Sequence, residues 1–152
     1  MRKSAMTVFR QLPGPLRRAV VHTATPSFTV GAVAVLRRDD GRLALVEQRH
    51  SLGWALPGGL LDRGEDAAAA LVRELREELG LTLDGASLPL PHAVVSPSAR
   101  RVDVVFSLDA PADARLRSED DVEVTGVGWF DLAELPEISE PTADILRAVH
   151  LL

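Results

Sequence analysis

Apolar and polar positions along the chain sort into stretches of different period. Residues 28–36 (FTVGAVAVL) form an almost unbroken run of β-branched and small apolar types, as a buried strand requires. Asp39-Asp40-Gly41 is turn chemistry, and Leu43, Leu45 and Val46 resume the run. Residues 28–48 therefore predict a β-hairpin with Phe28 in the core. A loop follows over 49–64, broken by Pro57-Gly58-Gly59. The period then changes. Ala68, Leu71, Val72, Leu75 and Leu79 repeat as one apolar stripe and predict a helix over 65–79, with Gly80 placed to cap it in the left-handed conformation.

Beyond the helix, residues 93–96, 102–108 and 122–130 read as strands, the alternation in RVDVVFSLD being the clearest. Residues 141–152 predict a closing helix, with Ile145, Leu146 and Val149 on one face. Near the start, Gly14-Pro15 opens a short helix to about His22, ended by Pro26. Strands outnumber helices without alternating regularly with them. The expected α/β architecture is a mixed sheet with helices on its faces, over 27–152, preceded by an arm of residues 1–26.

Composition changes this picture in three places. The 152 residues include no cysteine, which excludes disulfides, thiolate metal sites and a cysteine nucleophile. No apolar run approaches the ~18 residues of a membrane-spanning helix, and no secretory apolar segment is visible, so the expected location is cytoplasmic. The formal net charge is −5. It is unevenly spread: residues 1–26 hold Arg2, Lys3, Arg10, Arg17 and Arg18 with no acid, leaving 12 bases against 22 acids in the remainder. An acidic body argues against a long nucleic-acid track. The basic arm reads as a solvated extension or a short helix packed on the body.

The unusual chemistry lies on the strong helix. Arg73-Glu74-Leu75-Arg76-Glu77-Glu78 sets three carboxylates at i, i+3 and i+4, in one sector roughly 100° wide beside the apolar stripe. They repel one another and face the negative end of the helix dipole, where a sequence selected for helix stability alone would place Lys or Arg. A divalent cation removes both objections, and oxygen donors without nitrogen or sulfur suit a hard ion, Mg2+ or Mn2+. The competing reading is a solvated acidic face paired with Arg73 and Arg76.

The wider spacing decides between them. Gly59, five residues, Glu65, seven residues, then Arg73-Glu74-Leu75-x-Glu77-Glu78-x-Gly80-Leu81 is identified as a complete Nudix box. The lead-in Gly53-Trp54-Ala55-Leu56-Pro57-Gly58 and the later Trp129-Phe130 are also similar to the family's pattern. The resemblance implies a Nudix fold, an α/β/α sandwich around a mixed β-sheet. It implies hydrolysis of a nucleoside diphosphate linked to a group X, with water attacking phosphorus. Glu74, Glu77 and Glu78 would ligate the metal, one of them also serving as base, and the carbonyl of Gly58 would be a further ligand. Arg73 would hold Glu77 or Glu65, with Gly59, Glu65 and Gly80 supporting the box. A base outside the box could be Glu119, Asp120, Asp121 or Glu123. Physical chemistry agrees: a diphosphate of about two negative charges is repelled by bare carboxylates unless a cation bridges them.

Other residues carry weaker signals. Arg49, Arg100 and Arg101 are candidate phosphate clamps, and Trp54 either stacks on a base or packs in the core. His22, His50, His92 and His150 show no ligand spacing. The resemblance leaves the substrate open. Tyrosine is absent, unlike in many members acting on dinucleoside polyphosphates, and the SQPWPxPxS signature of NADH-cleaving members is missing. Pro97 lies sixteen residues after Leu81, which resembles the proline that follows the box in ADP-ribose pyrophosphatases. Expected substrates are ADP-ribose or a similar nucleotide sugar, or alternatively oxidised nucleoside triphosphates. A non-catalytic nucleotide-sensing module and a 5′-end RNA pyrophosphohydrolase stand as rivals, while the isopentenyl diphosphate isomerases on this fold need a cysteine the chain lacks. A homodimer is compatible with all of these.

Overall fold

In the computed structural model, residues 12–17, 23, 25–110, 113–119 and 122–152 are described. Seven strands form one mixed sheet: β1 (Thr29–Arg37), β2 (Leu43–Gln48), β3 (Trp54–Ala55), β4 (Gly58–Leu60), β5 (His92–Ser96), β6 (Arg101–Asp109) and β7 (Val124–Phe130). Among the described residues they are accompanied by helices α1 (Ala67–Leu79) and α2 (Glu140–Ala148), by a helical stretch at 14–17 and by a 3-10 turn at Gly85–Ser87. The central path runs β3-β2-β1-β6-β5, with β7 on β2 and β4 on β1. β1 and β6 are parallel along their full length, and the remaining ladders are antiparallel.

Strand alternation sends neighbouring residues to opposite faces, and each face has its own helix. Ala32, Ala34, Leu36, Ala44 and Val46 pack with Ala70, Leu71, Leu75 and Leu79 of α1. Val33, Val35, Leu43, Leu45 and Val105 pack with Ile145 and Leu146 of α2. The expected α/β/α sandwich is therefore the observed one. No helix among the described residues is long and apolar enough to cross a membrane.

The expected hairpin is present but opens. β1 and β2 meet at Arg37 and Leu43, around the turn where Gly41 takes a φ of 85°. Further from the turn they part, and the chain at 54–60 occupies the space between them. β3 pairs with Val46 and Glu47 of β2, β4 pairs with Gly31–Val33 of β1, and the Ala34 N–H donates to the Pro57 carbonyl at 2.9 Å. Sequence reading treats 49–64 as plain loop, because strands of two and three residues show no period.

Four further expectations need correction. Phe28 is 38% exposed rather than core: it precedes β1, and burial begins only at Gly31. Val122 is likewise 80% exposed, because β7 begins at Val124. Helix α1 starts at Ala67 rather than 65, since the Asp66 side chain accepts from the Ala69 N–H at 2.8 Å and caps it. The closing helix ends at Ala148, short of 152. Of the N-terminal helix expected to about His22, residues 14–17 are helical, and the rest, His22 included, lies outside the described residues apart from Thr23.

Leu75 sits fully buried on α1 between the carboxylates Glu74 and Glu77. Leu75→Ala should destabilise the fold by about 2–5 kcal/mol, measured by denaturant unfolding, through the cavity it leaves against the sheet.

Candidate active site

The three acids of α1 face three different environments, although one helical turn separates them. Glu78 is 4% exposed and lies under the opening between β1 and β2. The backbone N–H of Gly58 donates to its Oε2 at 2.7 Å, and Nε2 of Gln48 donates to its Oε1 at 2.7 Å. Burial pushes this carboxyl up to about 8, against those two hydrogen bonds and with help from nearby Glu74 and Glu123. Glu74 is also raised, first by burial, while Arg73 acts to lower it. The Glu77 side chain is 46% exposed.

Arg73 organises the other side of the cluster. Its guanidinium donates to both oxygens of Glu65, at 3.1 and 2.9 Å, to Oε1 of Glu74 at 2.6 Å and to the carbonyl of Leu60 at 3.1 Å. Glu77 lies 3.7 Å from the same group. Of the two expected partners, Glu65 takes the bidentate pair, and its carboxyl is held below the usual range by Arg73 and by the Asp62 N–H. Arg73 itself is pushed up, chiefly by Glu65.

The glycines of the motif have separate reasons. A Cβ on Gly59 would occupy the position of the Glu74 carboxylate. Gly58 has a φ of 138°, and a Cβ there would overlap the Ala32 carbonyl of β1. Gly80 adopts φ 67°, with its N–H bonded to the Arg76 carbonyl and that of Leu81 to the Leu75 carbonyl, which ends the helix immediately after Glu78 and Leu79.

These residues form one end of a cavity of about 520 Å³, in which Glu74, Glu77, Glu78, Arg73, Gly58 and Gly59 all take part. The cavity continues to Val33, Leu56, Thr142 and Ile145 on the α2 side of the sheet. Arg101 and Glu123 line it as well. The other candidates lie elsewhere. Arg49 donates from Nε to the Val122 carbonyl at 3.0 Å, and Arg100 is exposed in the turn between β5 and β6 with φ 50°. Trp54 packs edge-on against Phe130, with ring centroids 4.6 Å apart. Glu119 is exposed and paired with Arg76, while Asp120 and Asp121 lie outside the described residues. His50, His92 and His150 are exposed.

Two residues escape sequence reasoning, Gln48 in the cavity lining and Asp103 beside Arg101. Gln48, at the end of β2, has no motif around it, and only the fold brings it to Glu78. Asp103 is 1% exposed, and its signal was legible: it is the acid at an inward position of the alternating RVDVVF.

Among the described residues no group of three or more Asp, Glu, His or Cys side chains is gathered closely enough to hold a metal as it stands. The donor set nevertheless fits a hard cation. The buried Glu78 side chain is met by two neutral donors and no cation, and Glu74, though bonded to Arg73, is also raised by burial.

Comparison with known proteins agrees with this geometry. The family model described as the NUDIX domain matches residues 27–149. The chain belongs to the Nudix family. An ADP-ribose pyrophosphatase of Methanocaldococcus jannaschii is 31% identical over 123 residues, covering 76% of this chain and 71% of that protein. A MutT NUDIX hydrolase from Burkholderia pseudomallei superposes with a TM-score of 0.65 at 30% identity, covering 80% of this chain and 97% of the other. Nucleoside diphosphate-linked moiety X motif 6 of Xenopus laevis is 44% identical over 59 residues, and that match covers 38% of this chain and 27% of the longer frog protein.

Between its ordinary value of 4.5 and about 8, Glu78 holds a proton in the folded protein that the unfolded chain has released. The stability contributed by that proton is complete below the ordinary value and is lost as pH rises to about 8. In EDTA, the Tm of the wild type should fall between pH 5 and pH 8, and that of Glu78→Gln should fall less over the same window. Parallel curves for the two proteins would refute this account of the carboxyl.

Proposed function

We propose that this Nudix protein is a divalent-metal-dependent hydrolase that splits the diphosphate bond of a nucleoside diphosphate linked to X, with ADP-ribose or a similar nucleotide sugar as substrate. The observation that carries the reading is Glu78, buried with no cation beside it and set with Glu74 and Glu77 in the lining of a cavity large enough for a nucleotide. A cluster kept for helix stability would lie on the solvated face, and a buried acid kept for packing would be paired with a cation.

In this reading Glu74, Glu77 and Glu78, with the carbonyl of Gly58, hold the cation, Mg2+ or Mn2+ by the hardness of the oxygen donors. The bound ion supplies the positive charge that lets a diphosphate approach the acids and that acidifies the attacking water. The rest is done by the chain. Arg73 keeps Glu65 and Glu74 aligned along one edge. Gly58 and Gly59 let the backbone close on the carboxylates without a Cβ between. One of the three box glutamates also takes a proton from water, and Glu123, which lines the cavity near Glu74 and Glu78, is a second group for that role.

The nucleotide-sugar preference is supported by Pro97 after the box and by the archaeal ADP-ribose pyrophosphatase, with 31% identity over most of both chains. A panel of ADP-ribose, other nucleotide sugars, oxidised nucleoside triphosphates and triphosphorylated RNA, assayed with Mg2+ and with EDTA, tests it. ADP-ribose or another nucleotide sugar should be turned over fastest, and EDTA should abolish the activity. Glu78→Gln should lower kcat by at least ~10²-fold with its circular dichroism unchanged. Flat traces for every compound would favour a nucleotide-sensing module instead.

A further inference from the structure

One cation in the cavity is not committed to the box. Arg73 and Arg101 are the two arginines that line it, against Asp62, Glu74, Glu77, Glu78 and Glu123. The Arg73 guanidinium is taken up by Glu65, Glu74 and Leu60. Arg101 donates only from Nε, to Oδ1 of Asp103 at 2.6 Å. Its terminal nitrogens have no acceptor among the described residues.

Asp103 is what makes this more than a surface arginine. Its side chain is 2% exposed, two residues along the same strand and on the same face, and Arg101 is the only ion-pair partner it has among the described residues. A buried carboxylate is tolerated when it holds a cation in good geometry, so the pair fixes Nε and with it the plane of the guanidinium. Gly31, opposite Asp103 on β1, provides the room. A Cβ there would lie 2.7 Å from Oδ1 of Asp103, 2.8 Å from Nη2 of Arg101 and 3.1 Å from the carbonyl of Gly59. Arg101 thus stands near the Gly59 backbone, in the same cavity lining as Val33, Leu56 and Ile145. A planar, always-charged fork whose two terminal nitrogens have no acceptor among the described residues is the form that receives an anionic oxygen pair.

We propose that Arg101 is the phosphate seat of the cavity, binding the phosphoryl group remote from the carboxylates, and that Asp103 is its positioning residue. This rests on the reading of the cavity as a nucleotide site, but its test does not need turnover. By titration calorimetry with Mg2+, AMP and adenosine would be compared on the wild type, Arg101→Gln, Asp103→Asn, Asp103→Ala and Arg101→Gln/Asp103→Ala. Arg101→Gln should weaken AMP about ten- to a hundredfold and leave adenosine within twofold. Asp103→Asn keeps an acceptor for Nε and should retain most of the AMP affinity, whereas Asp103→Ala should lose about as much as Arg101→Gln. The double variant should be no weaker than Arg101→Gln alone, because both changes break one unit.

A loss of AMP and adenosine together would overturn the proposal, since it would mark a base contact or a collapsed cavity. Unchanged AMP binding, additive losses in the double variant, or no AMP binding by the wild type would overturn it too. If Arg101-dependent AMP binding is found while no compound is hydrolysed, the phosphate seat stands and the hydrolase reading falls.

Discussion

Everything at this site depends on keeping the carboxylate of Glu78 out of water. An acid at 4% exposure with only an N–H and an amide for company is held there by the fold rather than by its own preference. Three parts of the structure meet to impose it. Leu75 and Leu79 dock α1 on the sheet and carry Glu78 inward, β2 delivers Gln48, and the chain at 54–60 brings the Gly58 N–H to the remaining oxygen. Each part has its own hydrophobic anchoring, so the unfavourable group is a small term against a large packed interface. The high proton affinity is the measure of that imposition, and it is what makes a cation welcome.

The parting of β1 and β2 is the geometric counterpart. A continuous hairpin would have sealed the sheet above α1 and left its acids on one face. By admitting β3 and β4 between the two strands, the fold turns a sheet interior into a passage lined by residues of both faces. Gly58 and Gly59 sit in that passage because only a residue without Cβ lets β1 and the Glu74 carboxylate approach so closely.

How much of this was legible depends on the range of the interaction. The helix, its stripe, its glycine cap and the carboxylate sector are local, set by periodicity over a few turns, and they read directly from the chain. The long strands read well for the same reason. Residues 54–60 did not, since two- and three-residue strands owe their form to partners far away in sequence. Phe28 failed for a related reason: its apolar character continues the strand pattern, but burial depends on where the sheet's cover begins. Gln48 is a polar residue at a strand end, indistinguishable by sequence from any solvated one. Asp103 did break a pattern, and a charged residue on the inward phase of an alternating strand is a signal that can be searched for elsewhere. The assignment of Arg73 between Glu65 and Glu77 needed coordinates, because both lie within reach on spacing alone.

The cavity's two walls differ in how freely they can change. The acidic wall is locked: its glycines admit no side chain, Arg73 bridges Glu65 and Glu74, and the cap at Gly80 fixes where the helix ends. The far wall, from the chain at 54–56 and α2, is joined at the start of α2: the Trp54 N–H donates to the Glu137 carbonyl and the Ser139 N–H to the Trp54 carbonyl, both at 2.8 Å, and the Leu56 N–H donates to the Thr142 hydroxyl at 3.0 Å, which also accepts from Ser139. Past that first turn, α2 meets the cavity side of the sheet through apolar contacts of Ile145 and Leu146. Drift in α2 can therefore reshape what the cavity accepts without disturbing the carboxylates, so selection on ligand preference and selection on chemistry act on separate parts of the chain. In a domain of this size, that separation lets one reactive centre be handed on intact while its clientele diversifies.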